Sequence, residues 1–331
     1  MTYPRVTIGV PIYGVEKYIE RCAISVLNQS YSNIEFIFCD DCTPDRSVQI
    51  LENVVNNYSS RIKTNIKIIR HEVNKGLAAA RNSIIRNASG DFIFWVDSDD
   101  YIEENAIELT VASQLSTDAD IVNVNYQEEY GCYVRKKQHP VVSSSRDYSI
   151  QMISRRAPIN IWGRLIRLSL YLDNDLYVKE VVDMGEDYQI STRLAYYSQK
   201  VECLDRILYH FNCTNLTSYT KSGVKNKQAD ESFKIVKDFF YNKGSDFADA
   251  ISVATLNMSV DFIYYYKAKS WAIKENIEKI SSIDRRFWKY VVWYKRIILY
   301  LINVPLILRI YIITSSYLKS VSNYFLYCIK S

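Results

Sequence analysis

Residues 92–102 read FIFWVDSDDYI, an apolar run that ends in a cluster of acidic residues. The run Phe92–Val96 is aromatic or β-branched and too short for a buried helix, so it predicts a buried strand. Asp97, Asp99 and Asp100 follow at the point where this strand leaves the core. The stretch therefore predicts a core strand whose carboxyl end carries carboxylates.

Short apolar runs alternate with amphipathic stretches on both sides of this strand. They predict strands at Arg5–Ile12, Ile34–Cys39, Ile66–Arg70, Phe92–Val96 and Ile121–Asn125, and helices at Glu16–Asn28, Asp45–Tyr58, Gly76–Asn87 and Glu103–Leu115. Such alternation predicts an α/β fold with a mostly parallel sheet flanked by helices. Because ligands bind beyond the carboxyl ends of such strands, the polar stretches PIYGVEKY, DDCTPDRS and DSDD should meet at one edge.

The rest of the chain departs from this alternation. Residues 127–157 are rich in Ser, Lys, Arg and Tyr and are interpreted as an insertion or a short β region. Residues 159–171 and 184–198 have a helical pattern, residues 200–211 predict a strand, and residues 224–283 predict lysine-rich helices. A C-terminal helical region should therefore follow the sheet.

The composition argues against several classes of protein. With 331 residues, 48% of them hydrophobic, the chain can bury a large core. A net charge of +4 without a basic and aromatic binding motif argues against nucleic acid as a partner. The nine glycines form neither G-x-G-x-x-G nor a P-loop, so dinucleotide and Walker-type sites are not expected.

Cysteine usage and the N-terminus bear on the compartment. Seven scattered cysteines do not resemble a disulfide framework. Cys39 and Cys42 match C-x-x-C, but a redox motif should open a helix, whereas this pair closes a strand. The strand-like run Val6–Val10 begins almost at once, without a charged and apolar leader. We therefore expect the bulk of the protein in the cytoplasm.

Asp97 and Asp99 are two positions apart, so in extended chain their carboxylates point to the same side. Paired hard oxygen ligands suit Mg²⁺ or Mn²⁺, which in turn can hold a diphosphate. The alternative is a solvated loop in which Asp forms a turn or caps a helix. The position favours the metal, because the pair directly follows a core strand at the expected binding edge.

Two further stretches place polar groups at the same edge. Asp41 follows an apolar strand, where its carboxylate can accept hydrogen bonds from a base or a ribose. The stretch HEVNKGLAAARN places Lys75 and Arg81 around a tight turn at Gly76, and such cations suit a diphosphate. Taken singly, each of these residues is also typical of an ordinary surface.

Three stretches together carry a family resemblance: VTIGVPIYGVEKYIERCAISVLNQSYSNIEFIFCDDCTPDRS, NKGLAAARNSIIRNASGDFIFWVDSDDYI and GEDYQISTRL. They resemble family-2 glycosyltransferases with the GT-A fold, strongly over residues 4–125 and more weakly over residues 158–215. The resemblance implies transfer of a sugar from a nucleotide diphosphate, usually UDP, to an acceptor hydroxyl with inversion at the anomeric carbon. It also implies Mn²⁺ or Mg²⁺ as cofactor and a role in glycan or surface-polysaccharide synthesis.

The resemblance implies a role for each matching position. Nucleotide-sugar contacts would come from Pro11, Tyr13, Asp41, Lys75, Arg81, Asp97 and Ser98. Asp97 and Asp99 would hold the metal, and His210 is a candidate third ligand against the alternative of simple strand packing. The family often has Asp-Gly-Ser where this chain has Asp41-Cys42-Thr43-Pro44, and this stiffer turn leaves the base contacts open.

Glu186 and Asp187 match the acid pair on the acceptor side of the family's site, whose second member is the catalytic base. An alcohol is a poor nucleophile at neutral pH, and a positioned carboxylate can take its proton as the new bond forms. The alternative is that both acids only complement the dipole of a helix that starts there. The D-x-D upstream favours Asp187 as the base.

The C-terminal tail is basic and apolar. Between Arg285 and Ser331 there are eight Lys or Arg residues and no Asp or Glu. Ile297–Ile313 approaches the length of a spanning helix, but Arg309 within it would cost roughly 2.5–3.5 kcal/mol near the bilayer centre. A membrane surface is therefore the expected partner, and a lipid-linked acceptor would fit it. The alternative is a helical subdomain packed on the catalytic core.

These features divide the chain into three parts. Residues 1–215 are the expected catalytic domain, with a nucleotide-sugar half at 1–125 and an acceptor half at 126–215; residues 216–284 are a helical extension, and residues 285–331 are the tail. The protein is expected to be peripheral on the inner face of the plasma membrane. Two other functions stay open: an enzyme that charges a polyprenyl phosphate with a sugar, and an inactive protein that binds a glycan or a membrane.

Overall fold

The computed structural model describes residues 3–58, 65–180, 182–215 and 226–315 of the chain. The strands in these residues are β1 Val6–Ile12, β2 Ile34–Asp40, β3 Ile66–Arg70, β4 Phe92–Trp95, β5 Tyr101–Ile102, β6 Ile121–Glu129, β7 Val134–Lys137, β8 Arg164–Arg167 and β9 Val201–Asn212. The helices are α1 Ile19–Leu27, α2 Ser47–Asn56, α3 Leu77–Asn87, α4 Ala106–Thr117, α5 Ser145–Ile153, α6 Ser169–Leu172, α7 Glu186–Tyr197, α8 Asn226–Phe240, α9 Ser245–Tyr265, α10 Ser270–Ser281, a 3₁₀ helix Arg285–Tyr290, α11 Trp293–Leu301 and α12 at 305–315.

The described strands form one mixed sheet in the order β3-β2-β1-β4-β8-β6-β9-β5, and β7 pairs with β6 outside this path. Strands β1 to β4 run parallel to one another. Strand β8 is antiparallel to both β4 and β6, whereas β9 is parallel to β6. The predicted α/β fold with flanking helices is confirmed. Strands β1 to β4 form an all-parallel half of the sheet, and the other half combines parallel and antiparallel pairs.

The apolar runs of the sequence build the core of this sheet. Every residue of β1 and β2 is buried, as is typical of parallel strands covered on both faces. Gly9 allows α3 to pack closely on β1, since a Cβ there would lie 2.8 Å from Ile84 Cγ2 and 2.9 Å from the Trp95 ring. The strands that carry the polar stretches are therefore held by close packing on both sides.

The clearest difference from the sequence prediction lies between β7 and α7. The pattern of residues 159–171 predicts a helix, but Arg164–Arg167 form strand β8, and only the short α6 is helical. Strand β8 pairs with β4 on one side and β6 on the other, and Leu165 and Ile166 are buried. Two strand partners satisfy its backbone groups, so tertiary pairing overrides the local helical pattern.

The other predictions for this part of the chain are confirmed within the described residues. The helix predicted at 184–198 is α7, and the strand predicted at 200–211 is β9. The helices predicted over residues 224–283 are α8, α9 and α10. Residues 127–157 contain the end of β6, the hairpin strand β7 and helix α5.

The chain falls into two compact units. The first comprises Met1–Met152 and Ala157–Val236, and it contains the sheet. The second comprises Ile153–Arg156 and Lys237–Ser331. The described part of the second unit has its own apolar core, to which α9 to α12 and the 3₁₀ helix contribute.

Within the second unit, the apolar run Ile297–Ile313 is divided between two helices. Helix α11 ends at Leu301, and α12 begins with Pro305, whose fixed φ and missing N–H suit a first helical position. In the part of the chain that the structure describes, no helix is both long and apolar enough to cross a membrane. The remainder of the predicted tail, beyond residue 315, lies outside the described residues.

Candidate active site

The polar stretches predicted at the carboxyl ends of the strands meet at one edge of the sheet. Strands β2, β1 and β4 are neighbours, and the Asp41 N–H donates to the Ile12 carbonyl over 3.1 Å. Pro11 is buried within β1, opposite Cys39 of β2. Tyr13, just beyond the end of β1, is 50% exposed. This edge of the sheet thus combines a buried proline with a half-exposed aromatic ring.

Asp41 is buried and holds the turn that follows β3. Its Oδ1 accepts from the Lys75 N–H over 2.8 Å, and its Oδ2 accepts from the Gly76 N–H over 2.7 Å. His71 Nδ1 lies 2.7 Å from Oδ1. A carboxylate has about four lone-pair positions, so the protein itself uses most of them. The base contact of Asp41 stays a prediction, beside its role in shaping this turn.

Asp183, in the loop before α7, holds the same turn from the other side. Its Oδ1 accepts from the Ala78 N–H at the start of α3 over 3.0 Å. Gly76 has φ +90°, and a Cβ there would lie 2.4 Å from Asp183 Oδ2, so a side chain does not fit between the two elements. Sequence reasoning missed Asp183, because Ala78 and Asp183 are 105 positions apart and nothing in the local pattern marks the pair. The Lys75 side chain next to this turn is exposed.

Asp100 anchors the acidic loop to β9. It is fully buried, and its two carboxylate oxygens accept from the Asn212 N–H and from the Tyr209 hydroxyl, each over 2.7 Å. Burial, followed by the charges of Asp99 and Asp97, raises the pKa of Asp100. The third acid of the opening stretch is therefore an internal anchor, and Asp97 and Asp99 stay the predicted ligand-binding acids.

Asp97 and Asp99 lie at the surface of the site, with Ser98 buried between them. The Asp97 side chain is 24% exposed. Asp99 Oδ2 accepts from the side-chain amide of Asn215 over 2.8 Å. Burial, followed by the charge of Asp97, raises the pKa of Asp99. A bound cation would offset that repulsion, so the chemistry of the pair fits Mg²⁺ or Mn²⁺.

The described residues contain no group of three or more His, Cys, Asp or Glu arranged to hold a metal ion. His210, the candidate third ligand, has Nε2 2.7 Å from Glu103 Oε1 and Nδ1 3.1 Å from Glu129 Oε1. Its ring stacks on Tyr101 with the centroids 4.1 Å apart. Among the described residues Asp97 and Asp99 therefore stay the candidate ligands, and other ligand positions would fall to the diphosphate and to water, as is common for Mg²⁺.

Arg81 on α3 connects the two acidic groups of the site. It is 1% exposed, and its Nη2 lies 3.1 Å from Asp97 Oδ1, 3.5 Å from Glu186 Oε1 and 3.6 Å from Asp187 Oδ1. Burial opposes the charge of the guanidinium, but the three carboxylates outweigh it and raise the pKa of Arg81 above its ordinary value. Nε and Nη1 of Arg81 have no hydrogen-bond partner among the described residues.

Glu186 and Asp187 open helix α7 behind Gly185, whose φ is +83°. Neither side chain caps the helix. Burial, followed by the charge of Asp187, raises the pKa of Glu186, and burial raises the pKa of Asp187 in spite of the Arg81 charge. The Asp187 side chain is 20% exposed and that of Glu186 only 9%, so Asp187 is the more open of the two. Asp187 Oδ1 has no hydrogen-bond partner among the described residues.

Comparison with protein families gives one extended match. The model of Glycosyl transferase family 2 matches residues 7–172, half of the chain. The glycosyltransferase GlyA of Streptococcus pneumoniae is 31% identical over 219 residues, which are 62% of this chain and 30% of GlyA. The chain therefore spans less than a third of that relative.

Several solved structures are similar to this chain, and two of them bear on the fold. Residues 1–349 of Staphylococcus aureus TarS in complex with UDP-GlcNAc give a TM-score of 0.72 at 21% identity, covering 96% of this chain and 92% of that one. TarS is a poly(ribitol-phosphate) β-N-acetylglucosaminyltransferase, and in sequence it is 30% identical over 62% of this chain and 35% of TarS. A mannosyltransferase from Pyrobaculum calidifontis in complex with GDP-Man and Mn²⁺ gives a TM-score of 0.51 at 13% identity, covering 92% and 87%. At these identities the structures show the fold.

Proposed function

The chain belongs to glycosyl transferase family 2 and is a glycosyltransferase, and from that premise we propose an inverting transfer of a sugar from a nucleoside diphosphate donor to an acceptor hydroxyl. The observation that carries this proposal is the Arg81 bridge between Asp97 and the pair Glu186 and Asp187. The Arg81 guanidinium contacts the acids of both the proposed donor side and the proposed acceptor side. A donor and an acceptor bound at the two groups would meet between them.

In this proposal Asp187 is the general base. Its carboxylate takes the acceptor hydroxyl proton while the acceptor oxygen forms a bond to the anomeric carbon. The bond from that carbon to the diphosphate oxygen breaks at the same time, and the nucleoside diphosphate leaves with the electron pair. A single displacement inverts the anomeric carbon. The Glu186 side chain is only 9% exposed, and its carboxylate lies 3.5 Å from Arg81, so Glu186 is proposed to position Arg81.

On the donor side, the residues proposed to contact the nucleotide sugar are Pro11, Tyr13, Asp41, Lys75, Arg81, Asp97 and Ser98. Asp97 and Asp99 are proposed to hold Mn²⁺ or Mg²⁺, because neighbouring carboxylates are hard oxygen ligands that suit these cations. The metal, when bound, offsets charge on the departing diphosphate. The Mn²⁺ complex of the mannosyltransferase, which has a similar fold, supports a divalent cation by analogy.

For the donor we propose a UDP-sugar, because TarS, with a similar fold, was solved with UDP-GlcNAc. For the acceptor we propose a glycan or a lipid-linked glycan, in surface-polysaccharide synthesis. The name of TarS supports a polymeric acceptor for that protein. We further propose that this enzyme works in the cytoplasm, peripherally on the inner face of the plasma membrane.

The alternatives differ from this proposal in their demands on the site. A polyprenyl-phosphate glycosyltransferase needs free cations for the acceptor phosphate, whereas the buried Arg81 is already surrounded by carboxylates. A protein that only binds glycan or membrane would have no use for an acid pair with raised pKa values beside a D-x-D. The transferase with a hydroxyl acceptor therefore agrees best with the observed contacts.

A panel of nucleotide sugars tests the proposal. The purified protein should release UDP from one UDP-sugar when Mn²⁺ is present, and EDTA should abolish the release. Asp99→Asn should weaken Mn²⁺-dependent UDP binding about tenfold or more, or 1.4 kcal/mol, in calorimetry. The control is Asp118→Asn, at an exposed position after α4, which should bind UDP normally. Undiminished UDP affinity in Asp99→Asn would remove the metal role from this residue.

A further inference from the structure

The described part of the tail concentrates exposed apolar side chains. Of the twenty large apolar residues that are exposed in the described chain, nine lie between residues 290 and 313: Tyr290, Val292, Trp293, Tyr300, Val304, Leu306, Ile307, Ile310 and Ile313. Elsewhere such residues are scattered, which is normal for a protein surface. A concentration of this kind marks an interaction surface.

Helix α12 is apolar on two opposite faces. Leu308 and Ile312 on one face are fully buried in the core of the second unit. Leu306, Ile310 and Ile313 follow the i, i+4, i+7 spacing of the opposite face, and these residues are 73%, 57% and 46% exposed. A helix at a protein surface usually carries polar residues on the face away from the core, and a second apolar face is typical of a helix that is covered there too. These three residues define the outer face of α12, which is exposed in the described part of the chain.

The charges of the second unit indicate what could cover this face. Residues 285–315 contain six Lys or Arg residues and no Asp or Glu. Arg286 and Lys295 are paired with Asp249 and Asp261 of α9. The other cations include Arg309, which is exposed on α12 itself beside the outer face.

Aromatic residues in the same segment have the composition of a membrane interface. Trp293 is 74% exposed at the start of α11, and Tyr300 is 67% exposed near its end. Trp and Tyr prefer the headgroup level of a bilayer, because one end of the ring system is apolar and the other polar. Exposed apolar, aromatic and cationic residues without acidic ones are the pattern of a helix that lies on an anionic bilayer.

We propose that the outer face of α12 docks onto the surface of an anionic lipid bilayer. Leu306, Ile310 and Ile313 enter the boundary between headgroups and acyl chains, and Arg309 lies at the level of the lipid phosphates. The helix lies in the interface, and the opposite face stays in the core of the second unit. This inference rests on the proposed function for its purpose, since a bilayer-bound enzyme would meet a lipid-linked acceptor, but the binding itself needs no catalysis.

Vesicle flotation with the full chain tests the proposal. The vesicles are made of phosphatidylcholine alone or of phosphatidylcholine with phosphatidylglycerol, without any acceptor. The wild type should float with the anionic vesicles, and added salt should weaken the binding because surface charges are screened. The affinity of the variant Leu306→Glu/Ile310→Glu/Ile313→Glu for the anionic vesicles should fall about tenfold or more, since apolar burial and charge both contribute to binding.

A matched control carries three new carboxylates at exposed apolar positions of the first unit, Leu115→Glu/Val141→Glu/Leu172→Glu. It should float like the wild type. The comparison then shows that the position of the new charges matters, since both variants carry the same number of them. The α12 variant should keep the wild-type melting temperature and UDP affinity, because its three positions face solvent. If the wild type released no UDP from any nucleotide sugar, the proposed function would be wrong, but the flotation result would still stand.

Three results would overturn the proposal. The first is equal flotation of the α12 variant and the wild type. The second is a dimer of the wild type in sedimentation that the variant abolishes, since a second copy would then cover the face. The third is a lowered melting temperature of the variant without lipid, since the chain itself would then cover the face.

Discussion

At the scale of single residues, Asp187 separates a catalytic from a structural explanation of the acid pair. Asp187→Asn keeps the size of the side chain but cannot accept a proton from the acceptor hydroxyl. We expect kcat to fall about 10²- to 10⁴-fold, or roughly 2.7–5.4 kcal/mol of transition-state stabilisation. UDP affinity should hardly change, because the proposed donor contacts lie on other residues. Steady-state kinetics and calorimetry on one preparation measure both quantities.

The pH dependence gives an independent check on the same residue. Burial raises the pKa of Asp187, and only the ionised carboxylate can act as a base. Activity should therefore decline on the acid side at a pH above the ordinary pKa of an aspartate. If Asp187 only complemented the helix dipole, Asp187→Asn would cost about 0.3–1 kcal/mol of stability. Near-normal kcat with a lowered melting temperature would refute the base assignment.

At the scale of elements, the start of α3 can pack against the loop before α7 because Gly76 has no side chain. Gly76→Ala introduces strain at φ +90° and places a Cβ 2.4 Å from the Asp183 carboxylate. Strain in the left-handed region costs about 1–2 kcal/mol, and the clash adds to it. Because Asp183 lies just before Glu186 and Asp187, we expect a drop in kcat as well as in the free energy of unfolding.

The chain offers a matched control for this substitution. Gly131 has φ +81°, but a Cβ there would meet only Thr214 Cγ2, at 3.7 Å. Gly131→Ala should therefore show the backbone strain without the clash, and kcat should stay near normal. Denaturant unfolding and kinetics compare the two variants. Equal losses of stability, with normal kcat in both, would show that Asp183 does not couple the two elements.

At the scale of the whole molecule, the described tail is part of a core. Of the fourteen buried apolar residues in the described core of the second unit, seven follow residue 284: Phe287, Val291, Ile298, Leu299, Ile302, Leu308 and Ile312. Burial of a large apolar side chain contributes about 1.5–3 kcal/mol. Deletion of residues 285–331 would thus remove roughly 10 kcal/mol or more of apolar burial, which is comparable to the total stability of a domain.

We therefore expect this deletion to unfold the second unit. Hydrogen exchange in α9 and α10 should become fast, since these helices would lose half of their described core. The outer-face variant of α12 provides the control, because it changes the same segment without touching the buried residues. Slow exchange of α9 and α10 in the truncated chain would show that the tail is dispensable for the core.

The sequence by itself determined the strands of the parallel half and the position of its acids. Runs such as Phe92–Val96 are short and apolar on both faces. Such a run is stable only in a strand that is covered on both sides, so its length and composition were sufficient to predict a buried strand. The family followed from three motif blocks. The acids Asp97, Asp99, Glu186 and Asp187 could be named because each lies at the end of a strand or the start of a helix, where the local pattern changes.

Only the tertiary structure decided which of the acids is buried as an anchor and which acids lie together around Arg81. Asp100 follows directly in the same acidic cluster, yet Tyr209 and Asn212 bury it as an anchor. Arg81 connects the two acidic groups, although it is 105 positions from Glu186. Strand β8 forms against a helical local pattern because β4 and β6 offer it partners on both sides. Contacts between distant segments leave no periodic trace in a single sequence, so these roles are set by packing.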